Sequence, residues 1–266
     1  MRGSRIFWGI VLAVAGLVLL LLNLGLLPGE FWGLLWAFGL IVLGAWLLLT
    51  PVLYRREKAT KTLSIPVEDL RDAEIQMEHG AGRLEISAAS DAGYSLLEGT
   101  FTGGVESIVR KDGTTGWLNL KVPGDMFWGA PWMTHPEGIH WNIGLNRSIP
   151  LRLRIKMGAG ENRLDLADLQ VKDLQIETGA SSTWLRLPAA AGHTRAVIKS
   201  GAAAMEVHIP ETVAARIEVK SGLSSVVVDQ TRFVQQGSVY QSVDFDTAVH
   251  RVDILAETGV GSLEIR

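Results

Sequence analysis

Leu153–Leu164 reads LRIKMGAGENRL, Leu174–Leu185 reads LQIETGASSTWL, Ala196–Val207 reads AVIKSGAAAMEV and Ile217–Val228 reads IEVKSGLSSVVV. Ile75–Ile86 (IQMEHGAGRLEI) and Ile254–Ile265 (ILAETGVGSLEI) write the same phrase again. All six align on one glycine: Gly80, Gly158, Gly179, Gly201, Gly222 and Gly259. Apolar residues stand five and three positions before that glycine and six after it, and a charge always stands two before it. Apolar residues two apart give a strand with one buried face. The glycine then turns the chain, and a second alternating strand follows. The central glycines are 21, 22 and 21 residues apart, a period that belongs to stacked supersecondary units. The expected fold of this part is all-β, a β-solenoid or stacked-strand repeat domain. A one-sheet stack and a closed β-helix both satisfy the pattern. Stacked β-scaffolds serve more often as surfaces than as enzymes.

The charged column holds Glu78, Lys156, Glu177, Lys199, Lys220 and Glu257. Stacked in chain order, Lys156, Glu177 and Lys199 become neighbours, and each opposite pair across strands contributes roughly 0.2–1 kcal/mol. Lys199 beside Lys220 breaks the alternation in that order. The buried columns contribute more, about 1.5–3 kcal/mol for each fully buried Ile or Leu. The period holds from Leu151 to Asp229 and is interrupted on both sides. Residues 90–150 suggest strands at Tyr94–Phe101, Val105–Arg110 and Trp117–Val122. Residues 230–250 form a second interruption before Ile254–Arg266 closes the chain with one more phrase. Irregular ends suit a solenoid, because bare terminal edges template aggregation.

The N-terminal region is of another kind. Residues 6–27 and 31–49 contain no charged side chain, and about 20 apolar residues cross a bilayer. The expected organisation is a two-helix transmembrane hairpin over 1–54, a basic juxtamembrane connector over 55–64 and the β-domain over 65–266. Pro28-Gly29-Glu30 is so short a link that the helices must pack as a tight hairpin. Gly9/Ala13 and Gly33/Ala37 are small-xxx-small pairs that let helices approach closely in lipid. Arg2 and Arg5 precede the first run, and Arg55, Arg56, Lys58 and Lys61 follow the second, while the link has no Lys or Arg. Basic residues stay on the cytoplasmic side, which places both termini and the β-domain in the cytoplasm of a cell with this protein in its membrane.

The net charge of −3 gives no footprint for nucleic acid. The absence of cysteine excludes disulfides, thiolate metal sites and cysteine nucleophiles. No phosphate-binding loop is present. Gly158-Ala159-Gly160 follows a strand, but a strand and not a helix follows it, so the dinucleotide anion site is missing. His135 and His140 lie five apart in a Pro/Gly-rich stretch and read as solvated loop histidines. Ser181, Ser182, Ser200 and Ser221 beside the glycines read as turn chemistry. No catalytic, cofactor-binding or metal-binding residue is expected. One segment stands apart: Met126, Phe127, Trp128, Trp132 and Met133, flanked by Gly and Pro. It reads either as a cap folded over one end of the solenoid or as an apolar contact loop.

The N-terminal Phe7-Trp8-Gly9 to Leu49 pattern, with its second Phe31-Trp32-Gly33, resembles the transmembrane region of LiaF- and LiaI-like envelope proteins. The Gly158-Ala159-Gly160 to Leu166 phrase and its echoes resemble the toastrack domain, also described as an adhesin-like repeat domain. The resemblance implies a non-enzymatic bacterial membrane protein, a scaffold or regulator in cell-envelope stress signalling. Its partners would be the lipid bilayer, a sensor kinase or another membrane protein, and further copies of itself. The chain differs from the better-known LiaF arrangement in having two expected spans where four are usual. A self-assembling membrane-anchored scaffold is the other reading.

Overall fold

The computed structural model describes residues 60–90, 94–123 and 139–266, with Gly39 ahead of them. The chain divides between Arg55 and Arg56, and every strand below belongs to the second unit. The expected hairpin, with Gly9, Ala13, Gly33 and Ala37, lies outside the described residues. Among the described residues no helix is long and apolar enough to cross a membrane.

The described strands are β1 (Thr60–Pro66), β2 (Asp72–Ala88), β3 (Ser95–Thr102), β4 (Glu106–Asp112), β5 (Thr115–Lys121), β6 (Ile139–Leu145) and β7 (Leu151–Asp165). There follow β8 (Val171–Arg186), β9 (His193–His208), β10 (Ala214–Val228), β11 (Val234–Gln236), β12 (Val239–Gln241) and β13 (Arg251–Ile265). All belong to one sheet whose path runs β1-β3-β6-β2-β7-β8-β9-β13-β10-β12-β11 and does not close on itself. The strands expected at Tyr94–Phe101, Val105–Arg110 and Trp117–Val122 are β3, β4 and β5.

Each glycine phrase is one long strand bent at its glycine. In β8, Leu174, Ile176 and Thr178 are buried, Gly179 and Ala180 are exposed, and Ser181, Thr183 and Leu185 are buried again. Two successive outward residues shift the alternation by one, so both arms of the strand face the same core. Pairing between β7 and β8 passes from Met157 opposite Thr178 to Ala159 opposite Ala180, skipping the two glycines. The corner thus interrupts the ladder by one step without ending it.

Close backbone approach makes glycine necessary at the corner. A Cβ on Gly158 would stand 2.4 Å from the Gly80 carbonyl oxygen, and one on Gly179 would stand 2.7 Å from that of Gly158. Gly160 is more constrained still, with φ at +134° and a would-be Cβ 1.8 Å from the Gly82 oxygen.

Short return segments link β7 to β8, β8 to β9 and β9 to β10. Between β7 and β8, Leu166 and Leu169 are buried, and the Leu169 amide donates to the Leu166 carbonyl at 3.0 Å. The next return stacks on this one, with the Ala189 amide donating to the Ala167 carbonyl at 3.0 Å. The core lies within the two arms and the return. It is filled by the columns the sequence predicts, among them Ile75, Leu153, Leu174, Ala196, Ile254 and Ile217.

Two arrangements depart from expectation. The last phrase does not close the stack. β13 inserts between β9 and β10, parallel to both, and the segment before it covers the end. There Phe233 and Phe245 are buried, the Arg216 guanidinium lies 4.2 Å from the Phe245 ring centroid, and β12 pairs with Arg216–Glu218 of β10. The second departure is a seventh coil split in two. β5 pairs with the first arm of β2, and β6 pairs with its second arm. Leu118 and Leu120 take the places of Ile75 and Met77, while Trp141 and Ile143 take those of Leu84 and Ile86.

Replacing Gly160 by Ala should destabilise the fold by about 1–3 kcal/mol, the usual cost of enforced backbone strain. Gly113→Ala, also at positive φ but with nothing within 4 Å, should cost less. Urea melts of the two variants check this; equal effects would contradict the close-stacked corner.

Candidate functional site

The outer side of the glycine corner carries the most regular chemistry of the described residues. Insertion of β13 puts Glu257 between Lys199 and Lys220. The column two residues before the corner therefore reads Lys121, Glu78, Lys156, Glu177, Lys199, Glu257, Lys220 across successive strands. The clash expected between Lys199 and Lys220 does not arise, because the stack does not follow chain order. Lys121 Nζ lies 3.0 Å from Glu78 Oε2, Lys156 Nζ lies 3.5 Å from Glu177 Oε2, and Lys199 Nζ lies 3.3 Å from Glu257 Oε2. Lys220, at the end of the ladder, turns to Glu218 of its own strand at 3.5 Å. These pairs are solvated, so each is worth about 0–1 kcal/mol. Their main effect is on register, since a one-strand slip would set like charges together.

Beside the ladder runs a shallow groove floored by the glycines. One stretch of about 470 Å³ is bordered by Glu78, Lys121, Lys156 and Glu177. Another of about 590 Å³ is bordered by Lys199, Lys220 and Glu257. On the far side of the glycines stands an exposed apolar column: Ala81, Ala159, Ala180, Ala202, Val260 and Leu223. It grows bulkier toward β10, where Leu223 is 84% exposed. Ion pairs, bare backbone and small apolar groups make a surface for contact. The described residues bring no three His, Asp or Glu side chains into a metal-binding group.

Residues 122–138 of the split coil span the interval that β2 crosses with His79, Gly80 and Ala81 alone. The aromatic segment containing Met126, Phe127, Trp128, Trp132 and Met133 is thus an insertion at the corner, although those five residues lie outside the described ones. The sequence pattern concealed this, because the insertion separates Leu118-Asn119-Leu120-Lys121 from Trp141-Asn142-Ile143. Both halves nevertheless carry the phrase.

At the base of the insertion, His140 belongs to β6 and not to a loop. His79, one residue before the corner glycine of β2, is only 3% exposed. Its ring meets Trp141 edge-on at 5.1 Å and 72°, and Trp141 Nε1 donates to the Gly104 carbonyl at 3.2 Å. Among the described residues neither His79 Nε2 nor His140 Nε2 has a hydrogen-bond partner. Burial, with a smaller repulsion from His140, lowers the His79 pKa from 6.5 to about 4. Sequence reading passed over His79, yet its place in an inward-facing column was available from the repeat.

A family model described as the N-terminal domain of toast_rack matches residues 54–208. The chain belongs to the toast_rack family. The toast_rack fold is also that of a solved candidate cell-adhesion protein from Clostridium sporogenes. It aligns with a TM-score of 0.71 and 20% identity over 79% of this chain and 99% of the other. A candidate adhesin from Bacteroides fragilis aligns with a TM-score of 0.25 and 8% identity over 80% of this chain and 99% of that one. No curated protein matches the sequence. The match to toast_rack takes in β1 through β9, which includes the split coil and most of the ladder.

Two outcomes follow for this toast_rack domain. Glu257→Lys, which sets three lysines in a row, should lower stability by about 1 kcal/mol or less at low salt, with Lys220→Glu at the end of the ladder restoring part of it. Added salt should shrink the difference; a loss without rescue and insensitive to salt would contradict the ladder. His79 is accepted neutral, so its contribution is complete above pH 6.5 and is lost as the pH falls toward 4. A shift of that size corresponds to about 3 kcal/mol. His79→Met should flatten the stability profile over that window, as urea melts at stepped pH would record.

Proposed function

We propose that this protein is a non-enzymatic, membrane-anchored scaffold or regulator in bacterial cell-envelope stress signalling. The observation that carries the reading is the union, on one chain, of two uncharged apolar runs with a close-stacked β-domain. The corner of that domain offers a long, regular contact surface. The runs at 6–27 and 31–49 would anchor the protein as a two-span hairpin in the cell membrane. The basic residues at its two ends would hold both termini and the β-domain in the cytoplasm. The likeness of Phe7–Leu49 to LiaF-type proteins supports a sensor kinase, or another membrane protein, as partner. Gly9/Ala13 and Gly33/Ala37 would form the packing face within the membrane. The corner insertion with Met126, Phe127, Trp128, Trp132 and Met133 would be the contact loop outside it.

Self-assembly through the β-domain is the second reading, favoured by the outer edge of β10. β12 pairs with Arg216–Glu218 there, while Leu223 and Val227 beyond it stay exposed. Strand edges of this kind recruit further strands.

One experiment serves both readings. The full chain, purified from membranes of its native cell with crosslinking, should bring down a second membrane protein. Gly33→Leu should lose that protein while the chain itself remains in the membrane. Recovery of the chain alone, as oligomers that Val227→Lys dissolves, would replace the regulator by the self-assembling scaffold. Monomers without a partner would overturn both.

A further inference from the structure

Away from the corner, β2, β5 and β4 build a second concavity on the outer face of the first arm. The register places Glu74 of β2 opposite Trp117 of β5, and Gln76 opposite Asn119. Trp117 in turn lies opposite Arg110 of β4, and Asn119 opposite Ile108. These six side chains form a grid of two rows and three strands around a cavity of about 240 Å³. Its size is below the roughly 300–1,000 Å³ of sites for drug-sized ligands, so one ring with its substituents would fill it.

The lining is unusual for the outside of a sheet. Trp117 is 43% exposed between the charged Glu74 and Arg110, and Ile108 on the other row is also exposed. Glu74 points outward, yet its side chain is only 11% exposed. It is held by Arg154 Nη1 at 3.5 Å and Arg152 Nε at 4.0 Å. Asn119 Oδ1 is buried and meets no donor among the described residues. A buried acceptor left without a donor costs about 1–3 kcal/mol, a cost that a ligand N–H would remove.

The chemistry selects the occupant. Arg110, Arg152 and Arg154 outnumber the carboxylates of Glu74 and of Asp72, which takes Arg152 Nη2 at 2.8 Å, and so disfavour a cationic ligand. The carboxylate of Glu74 disfavours an anion seated beside it. A purely apolar group would leave Asn119 and Glu74 unserved. What remains is a neutral ring with one apolar face, hydroxyl groups and an N–H. We infer that this cavity is a binding subsite for an N-acetylated amino sugar. The indole of Trp117 supplies a flat apolar platform for the C–H face of the ring. Asn119 Oδ1 accepts the acetamido N–H, Ile108 packs on the acetyl methyl, and the Glu74 carboxylate accepts a hydroxyl. The subsite is independent of the signalling role proposed above and of the corner groove.

The test is a titration of the full chain with N-acetylglucosamine and, separately, with glucose, read by ligand-observed NMR. A single sugar of this size is expected to bind with a Kd on the order of 1 mM. Glucose, lacking the acetamido group, should bind about tenfold more weakly, as one lost hydrogen bond implies. Trp117→Ala should abolish binding of both sugars, and Trp117→Phe should retain part of it. Asn119→Ala should erase the preference for the acetylated sugar. A melting transition like that of the unaltered chain shows that each variant is folded, which the outward position of both residues favours. No binding at about 20 mM sugar, well above the expected Kd, would overturn the assignment. So would equal affinities for the two sugars, or affinity unchanged in Trp117→Ala.

Discussion

The fold depends on how closely one corner glycine approaches the next. At the corners of Gly158, Gly179, Gly222 and Gly259 a carbonyl oxygen of the adjoining coil occupies the space where a Cβ would stand. Coils that touch this closely have one register available. A slip of one residue would bring a side chain against backbone and turn every buried column outward. From that register follow the shared core of the two arms, the stacked returns and the alternation of charge along the corner.

The position of β13 follows from the same constraint taken with electrostatics. β9 and β10 both carry lysine two residues before the glycine, and β13 carries glutamate. With β13 between them, the column alternates from Lys121 to Lys220. Each pair is weak, since water screens it, but a wrong order would repeat like charges in the same column. The arrangement also places the segment before β13, with Phe233 and Phe245, over the end of the core.

Much of this was legible in the residues and some was not. The glycine phrase located the repeating strands, their buried columns and the corner, because a strand with one buried face has a period of two that survives stacking. Chain order concealed the neighbours of β10, since a local pattern says which residues share a column but not the order of strands in it. The charge column held the missing information: Lys199 and Lys220 do not fit side by side, and Glu257 fits between them. The split coil escaped because its insertion falls at the glycine, the landmark by which the other phrases align. Trp117 and Asn119 belong to that coil, and their meeting with Glu74 and Ile108 depends on a pairing that no motif announces. His79 lies in a column that the repeat marks as inward, although its burial against Trp141 requires the other half of the split coil.

The interposed strand is the most direct point of test. The chain has no cysteine, so introduced pairs are unambiguous. Neighbouring strands lie about 4.7–4.9 Å apart, within disulfide reach, whereas strands separated by a third lie beyond the limit of about 7 Å. Lys199→Cys with Glu257→Cys, and Glu257→Cys with Lys220→Cys, should each crosslink on mild oxidation of the folded protein. Lys199→Cys with Lys220→Cys should not. Crosslinking of that last pair, with the first two silent, would show β9 beside β10 and contradict the ladder.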